Sequence, residues 1–177
     1  MSLVETIKEL TNPYHAYVFG TAFWYFLRGL VRIIAPETVA EWFRPPVQAT
    51  MMKKLVVPSP SDLELYNIRT DAWGLWVIGM MLLALADAVP LPASLVGSSL
   101  ADKAPSQYKK PYARAAVIIT VFHHITTGIG AYQHWRLETH HTPAMDIGVY
   151  GNVFFTLLGV TALVYGLNES AGERKKV

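Results

Sequence analysis

Four long apolar stretches constrain what this 177-residue chain can fold into. They cover residues 14–34, 70–89, 112–135 and 147–167, and shorter polar segments separate them. A helix needs about 20 mainly apolar residues to cross the hydrocarbon core of a bilayer. A single crossing segment can satisfy its own backbone polar groups there only as a helix. The pattern therefore predicts an all-α polytopic membrane protein, a bundle of four transmembrane helices that forms one domain over residues 1–177.

The composition supports a membrane protein, because 52% of the residues are hydrophobic and 16% are charged. The alternative is a soluble all-helical protein with very apolar core helices, which Arg28, Asp71 and Asp87 in or beside the first two stretches favour slightly. Four such stretches are hard for so short a chain to bury without a membrane. Cysteine is absent, which excludes disulfide and thiolate chemistry, and a net charge of +2 gives no support to a nucleic-acid partner.

Two polar segments are predicted to form short amphipathic helices at the membrane interface. They are residues 2–10 and the ETVAEWF segment that follows Pro36. Ser61 and Glu64 have the spacing of a capping box, which predicts a helix start just before the second apolar stretch. Basic residues slightly favour the side of the chain termini, so the termini are predicted to be cytoplasmic.

Polar residues inside the predicted spans are the strongest functional signal in the sequence. Ionisable groups are costly in a membrane, so each is a functional hypothesis. His123, Thr127 and His134 fall on one stripe of the third span, and His124 lies beside that stripe. This pattern points to imidazoles that act as general acid or base near the middle of the membrane.

Polar residues of the other spans are predicted to converge with this stripe on one half of the bundle. Arg28, Asp71, Tyr150 and Asn152 all lie towards the ends of their spans that face away from the termini. The sequence thus predicts one polar pocket that opens on that side. Simpler interpretations are an ion pair between Arg28 and Asp71, and interhelical hydrogen bonds from Asn152 or other polar side chains.

No nucleotide-binding, haem or metalloprotease motif occurs in the chain. The segments FLRGLVRIIAPE and LYNIRTDAWGLWVIG and the histidine-bearing third span resemble the small four-span DoxX-like membrane proteins of unknown function. Proteins of this kind occur in fungal natural-product gene clusters. The resemblance implies an endoplasmic-reticulum location, a lipophilic polyketide or terpenoid substrate and, in some clusters, a neighbouring cytochrome P450.

The functional hypothesis is an integral membrane protein that cyclises or isomerises a lipophilic metabolite by acid/base catalysis. No cofactor and no metal site is predicted, and the expected partners are the substrate and membrane lipids. The predicted catalytic residues are His123, His124 and Asp71, and the predicted substrate-binding residues are Arg28, Thr127, His134, Tyr150 and Asn152.

The alternative is a non-catalytic subunit that supports a membrane-bound oxidoreductase of the P450 type. For either function, such an oxidoreductase or further copies of the same chain in a homo-oligomer are the other expected partners. A small transporter fits less well, because four spans without an inverted repeat leave little room for alternating access.

Overall fold

The computed structural model describes residues 12–45, 59–85 and 110–167, and every regular element in these ranges is helical. The predictions for residues 2–10, for the end of the second span at 86–89 and for the side on which the termini lie concern residues outside these ranges. The elements are α1 (Pro13–Ile34), α2 (Pro36–Trp42), α3 (Asp62–Leu85), α4 (Lys110–Trp135), α5 (Pro143–Thr161) and a closing π-helical turn (Ala162–Gly166).

The long helices are those of a polytopic membrane protein, as the apolar stretches predict. In the described part of the chain, α3, α4 and α5 with its π turn are each long and apolar enough to cross a membrane. Helix α1 meets the same test together with α2, from which it is bent by 108°. Large apolar side chains such as Phe122, Leu157 and Tyr165 are exposed, which suits contact with lipid rather than water.

The helix ends follow from local sequence chemistry. The backbone N–H of Ser61 donates to Glu64 Oε2 at 2.7 Å, and the N–H of Glu64 donates to Ser61 Oγ at 3.2 Å, so the predicted capping box starts α3. Pro36 takes the first position of α2, where its missing N–H costs nothing. This break after Ala35 turns the chain sharply and separates α2 from α1.

The chain divides into two compact units, and each long helix contributes residues to both. Unit 1 comprises Met1–Ala22, Met80–Phe122 and Phe155–Val177, and unit 2 comprises Phe23–Gly79 and His123–Phe154. The buried core of unit 1 in the described ranges includes Tyr14, Tyr17, Val18, Leu82, Ala113, Ala116, Val117, Val121, Ala162 and Leu167.

A buried hydrogen bond joins two helices inside unit 1. The hydroxyls of Tyr17 and Thr120 are 2.7 Å apart, and Thr120 Oγ1 also lies 2.9 Å from the carbonyl oxygen of Ala116. Because the threonine proton is directed to that carbonyl, Tyr17 is the donor between the two hydroxyls. Such a bond fixes how α1 and α4 face each other in this unit.

Gly159→Ala is expected to destabilise unit 1, because α5 approaches its neighbours most closely there. A methyl group at Gly159 would overlap the Val121 side chain and lie 2.8 Å from Tyr17 Cε2. Overpacking costs about 1–3 kcal/mol, and the better helix propensity of alanine offsets about 1 kcal/mol of this. The free energy of unfolding in mixed detergent micelles should fall by up to about 2 kcal/mol.

The matched control for this prediction is Gly151→Ala in the same helix. A methyl group at Gly151 would make an ordinary contact of 3.6 Å with Trp24 Cζ2. This variant should be as stable as the wild type or slightly more so. Equal stability of the two variants would contradict the close approach at Gly159.

Candidate ligand-binding site

Unit 2 contains a cavity of about 520 Å³ whose wall is mainly apolar. Helices α1, α2, α4 and α5 contribute to it. Its polar side chains are those of Arg28, Arg32, Thr127, His134 and Asn152. The apolar wall and the two glycines in it are Trp24, Leu27, Val31, Val39, Trp42, Phe43, Gly130, Ala131, Ala144, Met145, Ile147 and Gly148.

Helical periodicity explains why these side chains meet. In α1, Trp24, Leu27 and Val31 share one face, with arginines one turn apart beside them. The sharp bend before α2 brings Val39 and Phe43 to the same wall. In α4, the cavity is lined by Thr127, Gly130 and His134. Their spacing of three and four residues is that of the polar stripe predicted from the sequence.

A polar network connects α4 and α5 beside the cavity. The Asn152 amide nitrogen donates to the Gly148 carbonyl at 2.6 Å, so its oxygen is the acceptor for its other partners. That oxygen lies 3.0 Å from His124 Nδ1 and 3.0 Å from Thr127 Oγ1. His124 therefore carries a proton on Nδ1, and Nε2 accepts from the Tyr25 hydroxyl at 3.4 Å.

His124 belongs to this network and does not itself line the cavity. His124 and Tyr25 are fully buried, and both ring nitrogens of the histidine have partners. Asn152 and Thr127, in contrast, line the cavity. The contact of His124 with the cavity is therefore indirect, through its hydrogen bond to the Asn152 side chain, and its predicted catalytic role stays a prediction.

The two arginines of α1 differ in their pairing. Arg32 Nε lies 3.1 Å from Asp71 Oδ2, so Arg32 makes the ion pair that the sequence interpretation assigns to Arg28. Arg32 is one turn closer to the end of α1, and there it reaches the carboxylate of α3. In the described ranges, Arg28 has no ion-pair partner, and its guanidinium carbon lies 5.7 Å from the centre of the Trp24 ring.

The predicted site residues fall into two groups. Arg28, Thr127, His134 and Asn152 line the one cavity, whereas the three predicted catalytic residues do not. Asp71 borders a second cavity of about 310 Å³, which shares Arg32, Val39 and Phe43 with the first. The expectation of a single polar pocket needs correction, because the wall of the larger cavity is mainly apolar.

His123 and Tyr150 lie away from this cavity. The half-buried His123 ring packs edge-on to Tyr25 at 5.4 Å, and its buried Nε2 has no hydrogen-bond partner in the described ranges. Tyr150 is 62% exposed and packs against Trp135. The catalytic and binding roles assigned to these residues remain predictions.

The turn between α4 and α5 carries a further polar cluster. Asp146 Oδ1 accepts from the Trp135 indole at 2.8 Å and lies 2.9 Å from His141 Nε2. These contacts fasten the turn that places His134 at the cavity. Across residues 12–45, 59–85 and 110–167, no group of three or more histidine, aspartate or glutamate side chains is arranged to hold a metal ion.

A family model described as a domain of unknown function (DUF8792) matches residues 17–176. The chain belongs to this family. No curated protein and no solved structure matches the chain. The family description assigns no activity, so the chemistry of the cavity is the basis for a functional proposal.

Sequence reasoning missed most of the apolar wall and one member of the polar network. The missed wall residues with large side chains are Leu27, Val31, Val39, Trp42, Phe43, Met145 and Ile147. The helical spacing of Leu27 and Val31 beside Arg28 is a signal that could have found two of them. No sequence pattern pairs Tyr25 with His124, because this contact depends on how two helices pack.

Proposed function

We propose that the chain binds a lipophilic small molecule in the cavity of unit 2 and promotes its cyclisation or isomerisation by proton transfer. The observation that carries this proposal is the cavity itself, an apolar wall with a few convergent polar side chains. Its volume of about 520 Å³ suits a ligand of drug-like size. In a membrane protein, such a ligand can enter from the bilayer.

The proton-transfer step falls to His134 in this proposal. His134 is the histidine that lines the cavity among the described residues, and its side chain is exposed. Imidazole is the side chain that most often serves as general acid or base. Removal of a proton beside a carbonyl and its return at another atom isomerises a molecule without any co-reactant.

The remaining polar groups would orient the ligand. Arg28 would hold an oxygen-bearing group, because it lines the cavity and makes no ion pair within the described ranges. Thr127 and Asn152 would keep their place through the His124 network. The roles that the sequence predicts for His123 and His124 then become supporting ones.

The likeness of FLRGLVRIIAPE and LYNIRTDAWGLWVIG to DoxX-like proteins supports a more specific setting. We propose that the chain acts in the endoplasmic-reticulum membrane, in the biosynthesis of a lipophilic secondary metabolite. A membrane-bound oxidoreductase of the P450 type would then be a neighbour in the pathway. Membrane lipids would cover the exposed apolar side chains of the long helices.

Gly130→Leu is expected to abolish ligand binding, because the new side chain would occupy the cavity. Gly130 lines the cavity, and a Cβ atom there would meet no atom within 4 Å. The probe is methyl 4-benzoylbenzoate, a neutral aromatic ketone that labels nearby C–H bonds under ultraviolet light. In the purified wild-type protein, mass spectrometry should find the adduct on cavity residues such as Met145 and Leu27.

The matched control is Gly74→Leu in α3. A Cβ atom at Gly74 would likewise meet no atom within 4 Å, but Gly74 does not line the cavity. This variant should be labelled at the same sites as the wild type. The binding proposal is wrong if the wild-type adducts lie only on lipid-facing residues, or if Gly130→Leu leaves labelling of the cavity unchanged.

A further inference from the structure

The cavity of unit 2 carries one positive charge that the described chain does not neutralise. Two arginines border it, and the ion pair with Asp71 neutralises Arg32. Arg28 has no ion-pair partner in residues 12–45, 59–85 and 110–167, yet it borders a mainly apolar space. A cation in such surroundings is costly unless it is paired.

Two other polar side chains of the cavity, Asn152 and Thr127, are already engaged in hydrogen bonds within the protein. The Asn152 oxygen accepts from His124, and the Asn152 nitrogen donates to Gly148. Thr127 Oγ1 lies 2.7 Å from the carbonyl oxygen of His123 and 3.0 Å from the Asn152 oxygen, so its single proton stays within the protein. Arg28 is therefore the group best able to provide strong donors to a ligand.

We propose that the ligand of this cavity is a monoanion, an apolar ring- or chain-containing molecule with one carboxylate that pairs with Arg28. This inference rests on the proposed function and specifies its substrate class. The planar guanidinium matches a carboxylate with two parallel N–H donors. Trp24 packs against the guanidinium at 5.7 Å, and stacking on a ring face leaves the N–H edges of an arginine available.

One charge and the cavity size together define the ligand. A neutral ligand would leave Arg28 unpaired, and a dianion would bring a second negative charge without a second unpaired arginine or lysine in the described part of the site. A volume of about 520 Å³ suits one small molecule of drug-like size rather than a phospholipid with two acyl chains. Apolar side chains such as Leu27 and Met145 would then contact the body of the ligand.

The test compares 4-benzoylbenzoate with its methyl ester as photoreactive probes at neutral pH. The two differ in charge at the same end of the molecule. In wild-type protein, the acid should label the cavity at a concentration about 10- to 100-fold lower than the ester, as expected for a charge-assisted hydrogen bond. Arg28→Gln should weaken labelling by the acid far more than labelling by the ester, so that this advantage disappears. Arg28→Lys should keep part of this advantage, because lysine retains the positive charge but cannot donate two parallel N–H bonds to a carboxylate.

Arg69→Gln is the control, since Arg69 is exposed on α3 and does not line the cavity. This variant should prefer the acid as strongly as the wild type does. Ester labelling of Arg28→Gln also reports that the variant is folded. Equal labelling by acid and ester in the wild type would overturn the carboxylate inference and leave the binding proposal standing. Labelling of the cavity by neither probe would remove both.

Lipid phosphate is the competing source of negative charge. The labelling is repeated in nanodiscs of phosphatidylcholine alone and with phosphatidic acid added. The carboxylate inference predicts that acid labelling is the same in both. Loss of acid labelling in the presence of phosphatidic acid would assign Arg28 to a lipid head group and overturn the inference.

Discussion

His134→Ala is expected to slow proton exchange on a bound ketone by about 10²- to 10⁴-fold, the usual contribution of a general acid or base. The probe is deoxybenzoin, an aromatic ketone with one enolisable methylene group. The purified protein is incubated with this probe in D₂O, and mass spectrometry follows the gain of deuterium. The effect should be large because His134 is the histidine at the cavity wall in the described part of the chain.

The matched control for His134 is His140→Ala. The His140 ring lies 5.9 Å from the His134 ring, but His140 does not line the cavity, so this variant should exchange at the wild-type rate. The cavity-filled variant Gly130→Leu should be as slow as His134→Ala. Exchange that is lost in His123→Ala and kept in His134→Ala would favour the sequence-based assignment of catalysis to His123. A wild-type rate equal to the background would remove the catalytic part of the proposal.

The helices could be predicted from sequence because their determinants are local. Apolar runs of span length, the Ser61–Glu64 capping box and Pro36 at a helix start each act within a few residues. The structure agrees with all three. The predicted and observed bounds differ at the helix ends. Helix α3 starts at Asp62, whereas the hydropathy pattern places the start of the span at residue 70. The helix is longer than the apolar run because the capping box starts it eight residues earlier.

The candidate site could be predicted only in part because its geometry depends on packing. Spacing along α4 identified Thr127 and His134, which do line the cavity. The same spacing also suggested His123, which lies one turn before Thr127. The His123 ring packs against Tyr25, however, and does not line the cavity. Whether Arg28 or Arg32 reaches Asp71 depends on how two helices are aligned, and no single-chain pattern contains that information.

The hydrogen bond between His124 and Asn152 should reveal itself as strong non-additivity in stability. Asn152→Leu leaves the buried Nδ1–H of His124 without this acceptor, and His124→Phe removes from the Asn152 oxygen one of its two hydrogen-bond partners, the other being Thr127 Oγ1. An unsatisfied buried polar group costs about 1–3 kcal/mol, whereas replacing both partners by apolar groups is nearly neutral. Each single variant should lower the free energy of unfolding by about that amount, and the double variant by clearly less than the sum.

Unfolding in mixed detergent micelles measures all four proteins of this cycle. Asn67→Leu is the control, because Asn67 is exposed on α3 and its replacement should change stability little. Additive costs would mean that the 3.0 Å contact contributes no interaction energy. The single variant His124→Phe separates support from catalysis. If His124 only positions Asn152, folded His124→Phe protein should still exchange deuterium into deoxybenzoin through His134, and a folded but inactive protein would place His124 in the chemistry itself.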